Sequence, residues 1–269
     1  MPEDKSDWQV PAYRCNIFRS RNSAAALVIP VINENGRLLG QLDAIAALHL
    51  PVDVIIADGG SDDGSTDVEQ LEHRRVRACL TKTGPGRLSA QLRMAYSWAL
   101  EQGYDAIITM DGNGKDGVDG IQRIFDKIQA GYGYVQGSRY SKGGQAINTP
   151  LSRWIAGRII HAPLISYAAR QWFTDTTNGF RGYSSAYLSD PDVRPFRNVF
   201  MNYNLLFYLS VRASQLGYRV TEVGVTRAYP QNGTVPTKIH GIRRKLSLFG
   251  ELLGAVTRQY HPPATDRLK

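Results

Sequence analysis

Residues 104–116 read YDAIITMDGNGKD. The run from Ala106 to Met110 is apolar apart from Thr109, and Asp111, Asn113, Lys115 and Asp116 then fall within six positions. A short Ile-rich run ending in polar, glycine-containing sequence predicts a strand buried on both faces, with the polar groups gathered at its carboxyl end. Two stretches upstream have the same form. AAALVIPVI (24–32) runs into NEN, and PVDVIIAD (51–58) runs into GGSDDGS.

Between those two runs Leu38, Leu39, Leu42, Ile45, Ala46 and Leu48 recur at helical spacing. STDVEQLEHRR (65–75) predicts a second helix with Ser65 as N-cap. VRACLT (76–81) reads as a strand and GRLSAQLRMAYSWALEQ (86–102) as a helix. Strand and helix therefore alternate over short connections, which predicts right-handed crossovers and an α/β doubly wound sheet. In such sheets ligands sit outside the carboxyl ends of the strands, where PVINEN, ADGGSDDGS and MDGNGKD all fall.

Past Lys115 a helix is predicted over GVDGIQRIFDKIQA (117–130), then a strand and a Gly-rich basic loop over YVQGSRYSKGG (134–144). Thr149 and Pro150 form a helix start, N-cap followed by Pro at the first position. In that helix Arg153, Gly157 and His161 lie four apart on one face. TDTTNGFRGYSS (174–185) leads to a helix at MNYNLLFYLSVRASQ (201–215), a strand at YRVTEVGVTR (218–227), the loop AYPQNGTVPT (228–237) and a final helix.

The 269 residues are 42% hydrophobic and 21% charged, as in ordinary globular proteins. Cys15 and Cys79 share no short spacing, so neither a zinc knuckle nor a disulfide framework is indicated, and a reduced cytoplasmic setting is expected. MPEDKSDWQV is too polar for a secretory signal, and no apolar run approaches the roughly 18–20 residues needed to cross a bilayer. The formal net charge of +8, concentrated late in the chain as in IRRKLS, suits nucleic acid, anionic lipid or phosphorylated substrates alike. A nucleic-acid-binding module would explain neither the acidic strand ends nor the lack of a reader motif, so no nucleic-acid partner is expected. A nucleotidyltransferase would carry a Gly-rich basic loop directly after the first strand, where this chain has PVINENGRL.

The ordered set VIPVINE, IIADGGSDDGS, YDAIITMDGNGKD, GSRYSKGG, TDTTNGFRGY and EVGVTR resembles the family 2 glycosyltransferases of the GT-A fold, in their dolichyl-phosphate mannose synthase-like branch. The resemblance runs from about Ala25 to Lys238. It implies a mixed sheet flanked by helices in one glycosyltransferase domain over 24–237, an N-terminal extension over 1–23, and a C-terminal helix and tail over 238–269. It implies inverting transfer from a nucleoside diphosphate sugar, UDP or GDP, to a polyprenyl phosphate or a small hydroxylated acceptor, usually with Mg²⁺ or Mn²⁺. By position, Pro30, Ile32 and Glu34 would line the nucleoside pocket, and Asp58 would accept a hydrogen bond from base or ribose. The family often has a second Asp where this chain has Gly59.

By the same resemblance Asp111 is the first carboxylate of the metal site and Asn113 stands in place of the second, while Lys115 takes a position that is often Gln. Asp111, the Asn113 carbonyl and the diphosphate would make a weakened metal site. In the alternative, Lys115 supplies the positive charge itself, unless Asp116 pairs with it. Arg139 and Arg153 match positions near the sugar and acceptor phosphates, and Gly157 stands where Ser is common. Asp175 would act as base for a hydroxyl acceptor, or would position groups or bind metal for a phosphate acceptor that is already anionic. Arg227 and Lys238 would reach the diphosphate, and the loop between them would close over the donor. His161 and His240 are expected to be packed or solvated rather than catalytic.

In the last helix Ile242, Leu246, Phe249, Leu253 and Val256 share a face beside Arg243, Arg244 and Lys245. That face suits docking on the domain itself, or peripheral contact with an anionic membrane at its inner face. The sequence carries no indication of oligomeric state.

Overall fold

The computed structural model describes residues 7–34, 36–231 and 242–263. The first half contains β1 (Tyr13–Ile17), β2 (Ala25–Val31), α1 (Gly36–Ala47), β3 (Asp53–Asp58), α2 (Val68–His73), β4 (Ala78–Lys82), α3 (Leu88–Glu101) and β5 (Ala106–Thr109). There follow α4 (Gly120–Gln129), β6 (Tyr134–Ser138), β7 (Gln145–Ile147), α5 (Leu151–Ile155), a π-helical turn (Ala156–His161) and α6 (Ala162–Ala169). The chain continues through β8 (Arg181–Ser184), α7 (Ser185–Leu188), α8 (Asn204–Gln215), β9 (Val220–Gly224), β10 (Thr226–Ala228) and α9 (Ile242–Val256).

Eight strands form one mixed sheet in the order β1-β4-β3-β2-β5-β8-β6-β9, and β10 pairs with β7 in a separate two-stranded sheet. β2, β3, β4 and β5 run parallel, as the alternation of strand and helix predicts. β8 is inserted antiparallel between β5 and β6. β2 is buried along its whole length, and its side chains alternate between the two faces. Ala26 and Val28 join the core that α3, α6 and α8 cover, with Leu92, Tyr96, Ile165 and Leu209. Leu27, Ile29 and Val31 join the core beneath α1 and α4, with Leu38, Leu42, Ile121 and Ile124.

The structure departs from the sequence expectations in five places. Residues 13–17, within the stretch read as an N-terminal extension, form β1 and pair antiparallel with β4 at the sheet edge. Ser65 does not cap α2: its hydroxyl donates to Asp63 Oδ1 at 2.6 Å, and the helix starts after Asp67. Pro150, rather than Thr149, is the cap of α5 and makes no side-chain cap bond. The strand expected over 218–227 breaks at Val225, and β10 leaves the main sheet for β7. α9 docks through Leu252 and Ala255, with Leu248 and Val256 partly buried, while Leu246, Phe249 and Leu253 stay exposed. No helix among the described residues is long and apolar enough to cross a membrane.

Candidate functional site

The carboxyl ends of β2 and β3 are tied together by short polar side chains. Asp58, the last residue of β3, is buried, and its Oδ1 accepts from the Ser61 amide at 2.9 Å and the Ser61 hydroxyl at 2.7 Å. The Ser61 hydroxyl in turn accepts from the Asn33 amide at 3.0 Å, and Asn33 Oδ1 accepts from the Asp62 amide at 3.0 Å. Asn33 holds a left-handed backbone (φ 51°), a conformation Asn adopts more readily than most residues. Pro30 is buried in β2, Ile32 is exposed beside the loop, and Glu34 is buried and pairs with Arg37 at 3.1 Å.

Gln91, projecting from α3, donates to the carbonyls of Val31 and Ala57 at 2.9 and 3.0 Å, bridging the two strand ends. A Cβ at Gly59 would lie 2.8 Å from that amide nitrogen, so Gln91 occupies the space a second acid would need. Gln41, from α1, clamps the next loop in the same way. Its amide donates to the Asp111 carbonyl at 3.0 Å, and its oxygen accepts from the Gly114 amide at 3.0 Å.

At the end of β5 the two acids of MDGNGKD converge on Arg227. Asp116 Oδ2 lies 2.6 Å from Arg227 Nη1, and Asp111 Oδ2 lies 3.0 Å from Nη2. Asp116 therefore pairs with Arg227, not with Lys115. Burial pushes the Asp116 carboxyl up to about 6; Arg227 pulls it down and Asp111 adds to the rise. Burial alone would lower the Arg227 guanidinium, but the two carboxylates outweigh it and hold its pKa well above the ordinary value. Asn113 Oδ1 accepts from the Lys115 amide at 3.2 Å, and its amide nitrogen faces Asp111 Oδ2 at 3.5 Å. A backbone N–H can only donate, so this bond fixes which end of the Asn113 amide is oxygen.

Across the site Arg139 and Asp175 form a buried fork. Nε and Nη2 of Arg139 donate to the two carboxylate oxygens at 2.6 and 2.9 Å, and Nη2 also reaches the Thr177 hydroxyl at 2.7 Å. Burial would raise the Asp175 carboxyl, but the hydrogen bonds and charge of Arg139 outweigh it and hold the pKa below the usual carboxylate range. The loop carrying Asp175 is anchored from several sides. Glu222 accepts from the amides of Thr174 and Asp175 at 2.9 and 3.0 Å. Arg181 donates to the Thr176 carbonyl at 2.9 Å, and His161 Nδ1 meets the Thr176 hydroxyl at 2.7 Å. Gly157 and His161 both turn inward from the π-helical turn, and a Cβ at Gly157 would lie 3.3 Å from the Thr177 hydroxyl. His161 is thus a packed residue; burial, reinforced by Arg181, depresses its pKa to about 3. Lys238 and His240 lie outside the described residues.

Tyr229, just after β10, gathers the remaining cations. Arg153 Cζ, Lys115 Nζ and Arg227 Cζ stand 5.4, 5.5 and 5.8 Å from its ring centroid. Burial alone would raise the phenol, but Arg227, Arg139 and Arg153 together bring its pKa below the ordinary value. Lys115 is lowered by burial first, then by Arg227 and Arg153. Cations crowded at one aromatic ring make a site suited to an anion, as a phosphate or diphosphate is.

Residues 26–190, more than half of the chain, match the profile of the family described as Glycosyl transferase family 2. The chain belongs to that family. It is 28% identical over 242 residues to an undecaprenyl-phosphate mannosyltransferase of Micrococcus luteus, covering 86% of this chain and 91% of the relative. It is 26% identical over 227 residues to a polyprenol monophosphomannose synthase of Mycolicibacterium smegmatis, covering 83% of each. In fold it matches glucosyl-3-phosphoglycerate synthase from Mycobacterium tuberculosis, solved with Mn²⁺, UDP-glucose and phosphoglyceric acid. The TM-score is 0.63 at 15% identity, over 89% of this chain and 81% of that one. The fold is thus GT-A, and family membership sets aside the nucleotidyltransferase and nucleic-acid-module readings.

Some of the structural relatives were solved with Mn²⁺ or Mg²⁺, and the resemblance assigns such an ion to Asp111 and Asn113. The side chains present do not fit it. Asp111 already serves Arg227, and the Asn113 oxygen is turned to the Lys115 amide. Among the described residues no three His, Cys, Asp or Glu side chains converge as a metal-holding group. A hard dication prefers oxygen ligands, whereas the group presented beside Asp111 is an amide nitrogen.

The sequence reading did not anticipate Gln41, Gln91, Glu222 or Tyr229. The two glutamines interrupt the apolar faces of α1 and α3, and a polar amide there was the available signal.

Proposed function

We propose that this family 2 glycosyltransferase moves a hexosyl group from a nucleoside diphosphate sugar to a polyprenyl phosphate at a membrane surface. The observation that carries the choice of acceptor is the state of Asp175. A hydroxyl acceptor needs a base to take its proton as the new bond forms. Asp175 is buried, ionised and occupied by Arg139 and Thr177, so it is a poor base. A phosphate acceptor arrives as an anion and needs none. The names of the two prenyl-phosphate relatives point the same way.

In this reading Pro30, Ile32, Glu34 and Asp58 hold the nucleoside, and Lys115, Arg153 and Arg227 face the diphosphate. Asp175 acts as a positioning residue that fixes Arg139 toward the sugar and acceptor phosphate. An acceptor phosphate oxygen attacks the anomeric carbon from the face opposite the leaving group. The new carbon–oxygen bond forms as the bond to the diphosphate breaks, and the electron pair leaves with the diphosphate. Negative charge grows on that leaving oxygen, and fixed cations are worth most where charge develops.

The surface supports delivery of the acceptor from a bilayer. Trp154, Ile155, Ile159 and Ile160 of α5 and the π-helical turn are exposed, followed by Tyr167 at 83% and Trp172 at 68%. α9, in contact with α6, exposes Leu246, Phe249 and Leu253 beside Arg243, Arg244 and Lys245. An apolar surface rimmed by basic groups suits an interface of anionic lipid.

The test offers labelled GDP-mannose or UDP-glucose with either polyprenyl phosphate in anionic vesicles or phosphoglyceric acid in solution. Label passing into the lipid phase supports the reading. Transfer to phosphoglyceric acid, with none to lipid, would refute it.

A further inference from the structure

Arg227 does not reach the Asp111 carboxylate as a loose surface side chain. Its own backbone is laddered to the loop that carries the acids. Asp116 and Arg227 form an antiparallel bridge, the Ala228 amide donates to the Lys115 carbonyl at 2.8 Å, and the Gly117 amide donates to the Thr226 carbonyl at 2.9 Å. β10 is in turn held by β7, with Arg227 paired in register with Ala146. The side chain is equally fixed. One nitrogen of the guanidinium is bound to Asp116, whose side chain has no exposed surface, and the other faces Asp111, whose side chain is 28% exposed. The bond to Asp116 keeps the guanidinium in place, because moving it away would leave a fully buried carboxylate without its charge partner. Any divalent ion on Asp111 would have to share that carboxylate with a cation that cannot easily withdraw.

We propose that the Arg227 guanidinium, mounted between Asp111 and Asp116, is the resident cation of this site, so that the chain takes up a nucleoside diphosphate without a divalent metal ion. The inference rests on the glycosyltransferase reading above and adds to it the nature of the charge that meets the diphosphate. Arg227 supplies a fixed planar fork suited to phosphate oxygens, and Lys115 and Arg153 stand 5.5 and 5.4 Å from the centroid of the same Tyr229 ring. Asp111 then serves to aim Arg227 rather than to ligate metal.

The test is isothermal titration of UDP and of GDP into the purified protein, once in EDTA and once in Mn²⁺. Metal binding is followed separately by the electron paramagnetic resonance of free Mn²⁺. The expected result is nucleotide affinity that differs by less than about threefold between the two conditions, a difference well under 1.4 kcal/mol. No stoichiometric loss of the free Mn²⁺ signal is expected when protein and nucleotide are mixed. Arg227→Gln should weaken nucleotide binding in EDTA by at least about tenfold. With both carboxylates released, Mn²⁺ should then restore part of that binding. Nucleotide binding by the wild type only in Mn²⁺, with one equivalent of ion taken up, would overturn the inference and leave the glycosyltransferase reading standing. Arg227→Gln binding nucleotide in EDTA as tightly as wild type would overturn it too. Failure of every nucleotide to bind under either condition would overturn both. If Arg227→Gln does not fold, the wild-type titrations decide alone.

Discussion

Asp175→Asn separates a positioning carboxylate from a catalytic base. In the structure Asp175 accepts three hydrogen bonds from Arg139 and two from Thr177. A carboxylate offers about four lone-pair positions, so little capacity remains for a substrate proton. The substitution keeps size and shape but removes the charge facing a guanidinium, in a pair whose side chains are only 5% and 1% exposed. Removing one partner of a buried pair costs about 3–5 kcal/mol. At roughly 2–4 °C per kcal/mol for a chain near this size, the melting temperature should fall by about 6–20 °C.

The double variant Arg139→Met with Asp175→Leu removes both charges. It should recover most of that stability, because replacing a whole buried pair by apolar groups is often neutral or better. Turnover should be lost in the double variant, since Arg139 is gone. The pH profile supplies a second reading. The folded-state pKa of Asp175 is depressed, so its stabilising contribution is present above the unfolded carboxylate value and is lost as pH falls through the folded one. The rate of the wild type should therefore show no loss near neutrality traceable to this group. Thermal unfolding and initial rates over pH 4–8 make the comparison. Asp175→Asn as stable as wild type, yet slower by more than about a thousandfold, would refute the reasoning and restore the base.

Three further outcomes follow from the geometry. His161 is held near pKa 3, so below pH 6.5 the unfolded chain binds a proton that the folded chain refuses. Its contribution to stability is thus complete above that pH and is lost at about 1.4 kcal/mol per unit as pH falls toward 3. Denaturant titrations of His161→Asn at pH 7, 6 and 5 should show a correspondingly shallower slope. Gly179→Ala would put a Cβ 2.5 Å from Asp111 Oδ1; the carboxylate can swing aside, so the melting point should move little while turnover drops by at least about tenfold. Tyr229→Phe keeps the ring among the three cations and should bind nucleotide within about threefold of wild type, whereas Tyr229→Leu loses cation–π contacts of about 0.5–2 kcal/mol each and should bind clearly more weakly by titration calorimetry.

The central strands were legible because each is a short apolar run buried on both faces, a pattern that needs no partner to recognise. β1 was not, since YRCNI is an edge strand with four exposed residues, and its pairing with β4 lies 65 positions or so down the chain. α9 was legible as a helix but not by face. It carries two apolar stripes, and periodicity cannot say which one meets the core. In the site, motif order located the loops but could not pair their charges. Asp116 lies beside Lys115 in sequence and bonds instead to Arg227, 111 positions away, because an extended loop turns neighbouring side chains apart. The π-helical turn was equally hidden, as it depends on the inward packing of Gly157 and His161 against the 174–178 loop rather than on local composition.

Two changes that set the MDGNGKD loop apart from the pattern it resembles form one electrostatic set. Asn113 in place of a carboxylate removes one negative charge, and Lys115 in place of a neutral amide adds one positive charge. The two together shift the loop by two positive units, the charge a divalent ion would bring. On the reading proposed above, either change alone would leave the charge that meets a diphosphate out of balance. Asn113 without Lys115 would weaken a metal site and offer nothing in its place. Lys115 without Asn113 would tend to pair with the second acid rather than with substrate. Asp116, the acid nearest in sequence, is bonded to Arg227 at 2.6 Å, and the Lys115 ammonium group lies 5.5 Å from the Tyr229 ring centroid. This ties the fates of the residues together. Asn113→Asp in the wild-type background should weaken nucleotide binding in EDTA, by placing a second carboxylate beside Arg227 and Lys115. In an Arg227→Gln background the same change should instead tighten Mn²⁺ binding, by adding an anionic oxygen to a vacated cation position. A double-mutant cycle over Asn113 and Arg227, read by nucleotide and Mn²⁺ titration, measures that reversal of sign. Additive effects at the two positions would mean that they do not share one cation site.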